Sequence, residues 1–145
     1  MLPDNNLVLE DAIFMNCDYL ENVENIDKLD SISSYAFANT RLKRLELNVN
    51  YIGEGAFANC ELLTNINIVA DSINAYAFSN CEILKDVVID AKYILDSAFE
   101  NCNRIVNLTL ENVVEIYDNA FKNCLRLSNV TSNTVNYIGD YAFAG

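Results

Sequence analysis

Apolar and polar positions along this chain follow a unit that returns about every 21 residues. Most units hold Ala-Phe, then Asn and Cys, and then a stretch in which aliphatic and polar residues alternate. The phenylalanines that mark the units are Phe14, Phe37, Phe57, Phe78, Phe99, Phe121 and Phe143. Their spacings of 23, 20, 21, 21, 22 and 22 residues form a repeat period. The pattern predicts a solenoid of stacked units.

The alternating stretch after each cysteine predicts one β-strand per unit. Leu63, Ile66 and Ile68 stand three, six and eight residues after Cys60, and the next two units repeat this arrangement. The last two apolar side chains alternate with exposed ones, as on a pleated strand. Because one unit cannot bury its own apolar face, the units must stack, with about 4.8 Å between neighbouring strands of a parallel sheet.

The Ala-Phe segment is predicted to lie in a short turn on the side opposite the strand. An acidic residue stands three positions before the phenylalanine in most of the units. Four of these residues are Glu54, Asp96, Asp118 and Asp140. A carboxylate that precedes a helical turn accepts hydrogen bonds from the free N–H groups of that turn. We interpret the four acids as N-caps.

Residues 51–60 and 137–143 carry the motif in its fullest form, Tyr-Ile-Gly followed by Ala-Phe. The units resemble those of the BspA-like leucine-rich repeat family, whose repeat reads roughly Ile-Gly-x-x-Ala-Phe-x-x-Cys-x-x-Leu-x-x-Ile-x-Ile. The resemblance covers nearly the whole chain. It implies a leucine-rich repeat solenoid, mainly β, with a parallel concave sheet and short helical or 3-10 turns on the convex side. The family's proline after the strand is missing and most copies are slightly short, which affects loop geometry.

Composition indicates one domain. The 145 residues are 52% apolar and include a single proline, so we expect residues 1–145 to form one solenoid of about six repeats without a linker. No apolar run is long enough to span a membrane and no leader is recognisable, so we expect a soluble chain without an export signal. The last unit stops at Phe143-Ala144-Gly145. The chain is then either a fragment of a longer array or a module whose open end pairs with another subunit.

The charge balance argues against nucleic acid as a partner. Nine basic and 21 acidic residues give a net charge of -12, which repels a phosphate backbone. Asp90 and Glu111 follow equivalent strand positions, so a calcium site between them is conceivable. No calcium-binding motif is present, and rows of surface acids are usually only solvated. We predict no metal site.

The sequence offers no sign of catalysis. The chain lacks histidine, which excludes histidine-based acid-base relays, and it has no glycine-rich phosphate loop. Its five cysteines share one place in the repeat, without a Cys-x-x-Cys pair, and Thr40 takes that place once. This arrangement favours a ladder of small buried thiols over a zinc or redox site. We predict no catalytic residue and no cofactor.

The exposed residues of the strand row are the predicted contact surface. They stand five and seven residues after the cysteine position, or four and six in the shortened copy that contains Thr40, and they begin at Asn22 in the first unit. The predicted ligand-binding residues are Glu24, Arg44, Glu46, Asn65, Asn67, Asp86, Val88, Asn107, Thr109, Asn129 and Thr131. Amide and hydroxyl groups at strand spacing can bind a protein or a glycan through many modest hydrogen bonds. The alternative is that these are only solvated strand residues.

Tyrosines form a second candidate surface near the turn side. Tyr51, Tyr93 and Tyr137 stand six residues before their phenylalanines, and a further row stands two residues before. That further row is Tyr35, Tyr76 and Tyr141. Tyrosine suits an interface because it combines apolar area with a hydroxyl group, although it also covers the edge of a small core.

These observations predict a non-enzymatic recognition or adhesion module that binds a protein or glycan through its concave face. The family resemblance implies a cell-surface or secreted protein that attaches to host-surface or matrix components, with no membrane insertion. The alternative is a structural spacer or assembly module that oligomerises by self-association through its open C-terminal end.

Overall fold

A computed structural model describes residue 7 and residues 9–145, and these form a parallel β-solenoid. Its elements in chain order are a 3-10 helix η1 (Ile26–Lys28) and the strands β1 (Arg44–Asn48), β2 (Tyr51–Ile52), β3 (Asn65–Ile73), β4 (Asp86–Ile94), β5 (Asn107–Glu111), β6 (Glu115–Ile116), β7 (Asn129–Ser132) and β8 (Tyr137–Ile138). The main path of the sheet runs β1-β3-β4-β5-β7, all parallel. β2 pairs with β3, and β6 pairs with β4 and β8. The predicted repeat solenoid with a parallel sheet is confirmed.

Equivalent residues of successive units pair side by side along the sheet. Ile66 pairs with Val87, and Ile68 pairs with Ile89, so the inward apolar positions form continuous rows. The burial pattern of β1 alternates strictly between exposed and buried residues. One side of each strand therefore supplies the core, and the other side remains available for contact.

The phenylalanines form a single stack through the core. Consecutive rings from Phe14 to Phe143 have centroid separations of 5.0 to 5.4 Å and interplanar angles of 4° to 14°. Nearly parallel rings at this separation are offset-stacked, which suits the quadrupoles of the aromatic rings. The solvent-exposed fraction of Phe37, Phe57, Phe78 and Phe99 is zero. Each repeat unit of the sequence therefore adds one ring to this stack.

The turn side is built from hydrogen-bonded turns in place of regular helices. Within one turn, Ala77 N–H donates to the carbonyl of Asn74, and Ser79 N–H donates to the carbonyl of Tyr76. The intervening Phe78 N–H donates instead to the carbonyl of Ala98 in the next rung, at 2.7 Å. Rungs are therefore joined by backbone hydrogen bonds on the turn side as well as in the sheet. These bonds keep the distance between neighbouring rungs similar on both sides, which limits the curvature of the solenoid.

The acidic residues before each phenylalanine have partners other than those predicted. The amide of Asp118 donates to Asp96 Oδ1 at 3.2 Å, and the amide of Asp140 donates to Asp118 Oδ1 at 2.8 Å. Glu54 accepts a hydrogen bond from the Tyr35 hydroxyl at 2.7 Å. The interpretation of Asp96 and Asp118 as caps of their own turns is wrong. Stacking brings the equivalent amide of the next rung within reach, so these carboxylates join rungs.

Candidate functional site

The side chains that point away from the core on β1, β5 and β7 and on the first five residues of β3 and β4 form one surface, which we call the strand face. Parallel pairing sets them in columns along the solenoid. The first column is Arg44, Asn65, Asp86, Asn107 and Asn129. The second column is Glu46, Asn67, Val88, Thr109 and Thr131. These columns bring together all the residues predicted for the concave contact row except Asn22 and Glu24.

Glu24 lies outside the columns. It is exposed and precedes η1, the 3-10 helix that stands where the other units have a strand. Asn22 is likewise outside any strand. Among the described residues, the sheet begins at Arg44. The prediction that the first unit supplies a strand-face pair is wrong.

Amide hydrogen bonds order the first column. Asn129 Nδ2 donates to Asn107 Oδ1 at 2.9 Å, and Asn107 Nδ2 donates to Asp86 Oδ1 at 2.9 Å. An amide side chain has two N–H donors and two acceptor sites on its oxygen. Asn107 thus keeps one donor and one acceptor site after both bonds are made, and all three side chains are exposed. The ladder holds polar groups at fixed spacing on an open surface.

A third column extends the strand face by one more alternating position. It consists of Asn48, Val69, Asp90 and Glu111. Asn48 and Val69 were not singled out from the sequence, although continuing the period of two beyond Glu46 and Asn67 would have found them. Val69 is 43% exposed. It lines a shallow cavity of about 220 Å³ together with Asp27, Glu46, Leu47, Asn48 and Asn67.

A second shallow cavity lies beside it, between the first two columns. Its volume is about 210 Å³, and its outward-facing lining residues are Arg44, Glu46, Asn65, Asn67, Asp86 and Val88. One guanidinium, two carboxylates and two amides surround a single aliphatic side chain. The depression is chemically suited to a polar ligand with both donors and acceptors.

The tyrosine rows lie on another side of the solenoid. In β4 the alternation of burial breaks at Lys92 and Tyr93, which are both exposed, before the buried Ile94. The strand turns a corner at this point, so Tyr93 faces a different direction from Val88. Tyr51 and Tyr137 occupy the equivalent place in their units. The other row, Tyr35, Tyr76 and Tyr141, has backbone φ of 55°, 58° and 57°.

The last turn leaves apolar side chains in contact with solvent. Val130 is 48% exposed, Ile138 57% and Phe143 36%. In the preceding unit, Leu108 and Ile116, which pair with Val130 and Ile138, are each 1% exposed. β7 stands at the end of the strand order, with its residues exposed throughout. The stacking surface of the final rung is therefore open.

A model of BspA-type leucine-rich repeat regions matches this sequence over residues 1–93 and 51–145, with six copies of the repeat. The chain belongs to the BspA-type leucine-rich repeat family. The resemblance inferred from the Ala-Phe-x-Asn-Cys motif is confirmed, and the repeat architecture seen in the structure is that of the family. No protein of curated function matches the sequence.

Two crystal structures of leucine-rich repeat proteins are similar to this chain in fold. A leucine-rich repeat protein from Bacteroides ovatus is 24% identical with a TM-score of 0.67, and the match covers 90% of this chain and 42% of that one. A leucine-rich repeat protein from T. pallidum is 20% identical with a TM-score of 0.59, and the match covers 77% of this chain and 67% of that one. The chain thus spans less than half the length of the B. ovatus protein.

The cysteines of this BspA-type solenoid are buried from Cys60 onwards. Cys81 Sγ donates to the carbonyl of Phe57 in the preceding rung at 3.3 Å, and Cys60, Cys102 and Cys124 bond in the same way. Burial raises the pKa of each of these thiols, and it raises the pKa of Cys124 to about 12. The predicted thiol ladder is confirmed for these four residues. It is wrong for Cys17, which is exposed.

The acidic pair considered for calcium is engaged otherwise. Asp90 and Glu111 pair in register on β4 and β5, as expected. Asp90 Oδ1, however, accepts a hydrogen bond from Asn112 Nδ2 at 2.9 Å. Among the residues that the structure describes, no group of three or more His, Cys, Asp or Glu side chains could hold a metal ion. In the same described part, no helix is long and apolar enough to cross a membrane.

Proposed function

We propose that this chain is a non-enzymatic recognition module that binds a protein or glycan partner through its strand face. The observation that carries the proposal is the ordered first column, in which Asn129, Asn107 and Asp86 are linked by amide hydrogen bonds at 2.9 Å and stay exposed. Polar side chains held in this way lose little rotamer freedom when a ligand binds, so less of the binding energy is spent on ordering them. Membership of the leucine-rich repeat family supports the same role.

The size of the strand face limits the kind of partner. Five strands and three columns cover about 19 Å by about 14 Å, or roughly 270 Å² of flat area. A stable protein interface buries about 800 Å² on each partner. The strand face alone therefore fits a short peptide or an oligosaccharide, whereas a folded protein would contact surrounding residues too. Each hydrogen bond contributes only about 0.5 to 1.5 kcal/mol, so several columns must act together.

The location of the module follows from the family and is part of the proposal. Membership of the BspA-type family supports a location at the cell surface or outside the cell. We propose that the module attaches to host-surface or matrix components. We further propose that residues 1–145 form one solenoid of about six repeats.

A capture experiment with matched variants tests recognition by the strand face. The immobilised chain is exposed to host and bacterial extracts beside a variant carrying Asn65→Arg, Asn67→Arg and Asn107→Arg. We expect the wild type to retain a partner that this variant loses, because three bulky cations block the columns and break the ladder.

The control for that experiment makes the same charge change elsewhere. Asp18→Asn, Glu61→Gln and Glu82→Gln also shift the net charge by three units, at exposed positions just after the repeated cysteine place. This control variant should keep the partner. Equal loss from both variants would mean that charge alone governs capture, and capture unaffected by the arginines would contradict the role of the strand face.

A second candidate function is assembly through the last turn, and the exposure of Val130, Ile138 and Phe143 favours it. A second copy, or a further repeat of a longer array, would cover these side chains. Analytical ultracentrifugation over a wide concentration range compares the wild type with Val130→Lys/Ile138→Lys. A dimer that the lysines abolish supports assembly by this chain, and a monomer at all concentrations rules out self-association through this end.

A further inference from the structure

Six equivalent segments form a strip along the solenoid at the corner where the strands turn away from the strand face. Pairing aligns Ile32, Ile52 and the isoleucines that follow them, so these segments stack in register. The strip comprises residues 31–35, 51–55, 72–76, 93–97, 115–119 and 137–141. It holds seven of the eight tyrosines, five of the 21 acidic residues and none of the nine basic ones. We call it the corner strip.

Two exposed tyrosines flank a carboxylate in this strip. Tyr93 pairs with Glu115, and Glu115 pairs with Tyr137, so the three side chains stand side by side at strand spacing of about 4.8 Å. Their neighbours Ile94 and Ile116 are buried, which directs this row away from the core. Tyr93 is 40% exposed and Tyr137 is 48% exposed. The carboxylate of Glu115 therefore lies between two accessible aromatic rings.

A fourth side chain holds this arrangement in place. Tyr117 Oη donates to Glu115 Oε2 at 2.7 Å, and the Tyr117 ring lies 5.7 Å from the Tyr137 ring at an angle of 60°. The hydrogen bond to Glu115 raises the pKa of Tyr117, so its hydroxyl stays protonated and continues to donate. Glu115 Oε1 and the remaining acceptor sites of the carboxylate are left for a ligand. The cluster is thus an ordered carboxylate with aromatic rings on both sides.

We propose that Tyr93, Glu115, Tyr117 and Tyr137 bind an arginine side chain from a basic segment of a partner protein. A guanidinium group is planar, stacks on aromatic faces and pairs with carboxylates through a fork of N–H donors. Asp96, Asp118 and Asp140 lie in the same strip and add attraction for further basic residues. The nearest basic residue along the chain, Lys92, forms an ion pair with Asp71 at 2.9 Å.

This surface is separate from the one that carries the proposed function. The corner strip begins at the break in alternation at Lys92 and Tyr93, whereas the strand face ends before that break. A partner could engage one surface without the other. The strip contains carboxylates and no basic residue. Its negative charge favours a cationic segment over a neutral sugar.

Fluorescence anisotropy with two labelled peptides tests the proposal. One probe is an arginine-glycine repeat peptide, and the other carries citrulline, which has nearly the same shape without the charge, in place of each arginine. We expect the wild type to bind the arginine probe and to bind the citrulline probe at least roughly tenfold more weakly. Glu115→Gln should weaken binding of the arginine probe by a similar factor, as should Tyr93→Leu/Tyr137→Leu.

Matched variants separate a built site from diffuse attraction. Tyr93→Phe/Tyr137→Phe keeps both rings and should retain binding within about twofold. Glu82→Gln makes the same charge change at an exposed position outside both surfaces and should have an equally small effect. Equal loss in Glu82→Gln and Glu115→Gln, equal binding of the citrulline probe, or no binding of the arginine probe would overturn the proposal. Circular dichroism of each variant confirms folding, and Glu115→Gln alone decides the outcome if the double leucine variant unfolds.

Discussion

At the scale of single residues, the asparagine that recurs two positions after six of the seven phenylalanines has a backbone reason. Asn80 has φ of 59°, and its equivalents have φ between 58° and 64°. Asparagine tolerates this left-handed conformation better than most other residues that have a side chain. Its amide also bonds between rungs, because Asn101 Nδ2 donates to Asn80 Oδ1 and Asn80 Nδ2 donates to Asn59 Oδ1. The recurrence is visible in the sequence, but its role appears only in the structure.

Two substitutions at Asn80 separate the backbone effect from the hydrogen bonds. Asn80→Ala should lower the free energy of unfolding by roughly 2 kcal/mol, since it loses two amide bonds and strains the backbone. Asn80→Gly loses the same bonds but adopts positive φ without strain, so we expect about half that loss. Urea denaturation measures both values. Equal losses would contradict the role of the backbone conformation.

The buried thiols make stability depend on alkaline pH. The pKa of Cys124 is raised to about 12 in the folded protein, while an unfolded thiol ionises near pH ~8.5. Between these values the unfolded chain binds fewer protons than the folded one. The stabilising contribution is therefore complete below about pH 8.5 and is lost as the pH rises towards about 12.

Urea denaturation at a series of alkaline pH values, under reducing conditions, checks this expectation. The free energy of unfolding of Cys124→Ala should fall less steeply than that of the wild type, by up to ~1.4 kcal/mol per pH unit. Cys17→Ala is the matched control, because Cys17 is exposed, and its slope should equal that of the wild type. Equal slopes in all three proteins would mean that the Cys124 thiol ionises in the folded state as freely as in the unfolded one.

At the scale of elements, one rung is stable only between its neighbours. Phe78 stacks on Phe57 at 5.1 Å and on Phe99 at 5.0 Å, while the turns that carry these rings are joined by backbone hydrogen bonds. The Ala-Phe segments were expected as short helical or 3-10 turns, and the structure has short hydrogen-bonded turns there. Stacking keeps them short, since every second amide of the turn donates to the next rung and a continuous helix cannot form. A single-unit pattern does not reveal this, because the acceptor lies about 20 residues away.

Truncating a ring inside the stack should be far more costly than truncating one at its end. Phe78→Ala leaves a cavity between two rungs and should lower the free energy of unfolding by about 3 to 5 kcal/mol. Phe143→Ala is the control, because Phe143 is 36% exposed and stacks on one ring, and we expect less than half that loss. Thermal and urea denaturation give both numbers. Similar losses at the two positions would contradict the stacked core.

At the scale of the whole molecule, the net charge of -12 acts against the compact state. Stacking places equivalent residues of neighbouring units only about 4.8 Å apart, so recurring acids on adjacent rungs repel each other. Local bonds offset part of this repulsion, as with Asp96 and Asp118, which accept hydrogen bonds from the next rung. The remaining repulsion is screened by salt.

The melting temperature should therefore rise as sodium chloride is added at low ionic strength. Calcium chloride and magnesium chloride, compared at equal ionic strength, should raise it equally, because screening depends on ionic strength and not on ligand geometry. Differential scanning calorimetry measures the three series. A larger shift with calcium alone would reveal a specific ion site, and a melting temperature independent of salt would contradict net repulsion.

The sequence by itself determined the solenoid fold, the repeat length of about 21 residues and the two main columns of the strand face. A repeat period and an alternation of two are local patterns, so they can be read without knowing which units touch. The exposure of Cys17 could not be read in this way. It shares the motif of the other cysteines but belongs to the first rung that carries a phenylalanine, and burial depends on the neighbouring rung.

Only the tertiary structure decided which side chains act together across rungs. The amide ladder of Asn107, the bonds between carboxylates and the next turn, and the cluster around Glu115 all join residues about 22 positions apart. The tyrosine pattern did not reveal Glu115, because this glutamate stands at the repeat position that holds tyrosine in other units. Register and side-chain contact are set by stacking, so chemistry made from unlike residues of neighbouring units appears only when the rungs are assembled.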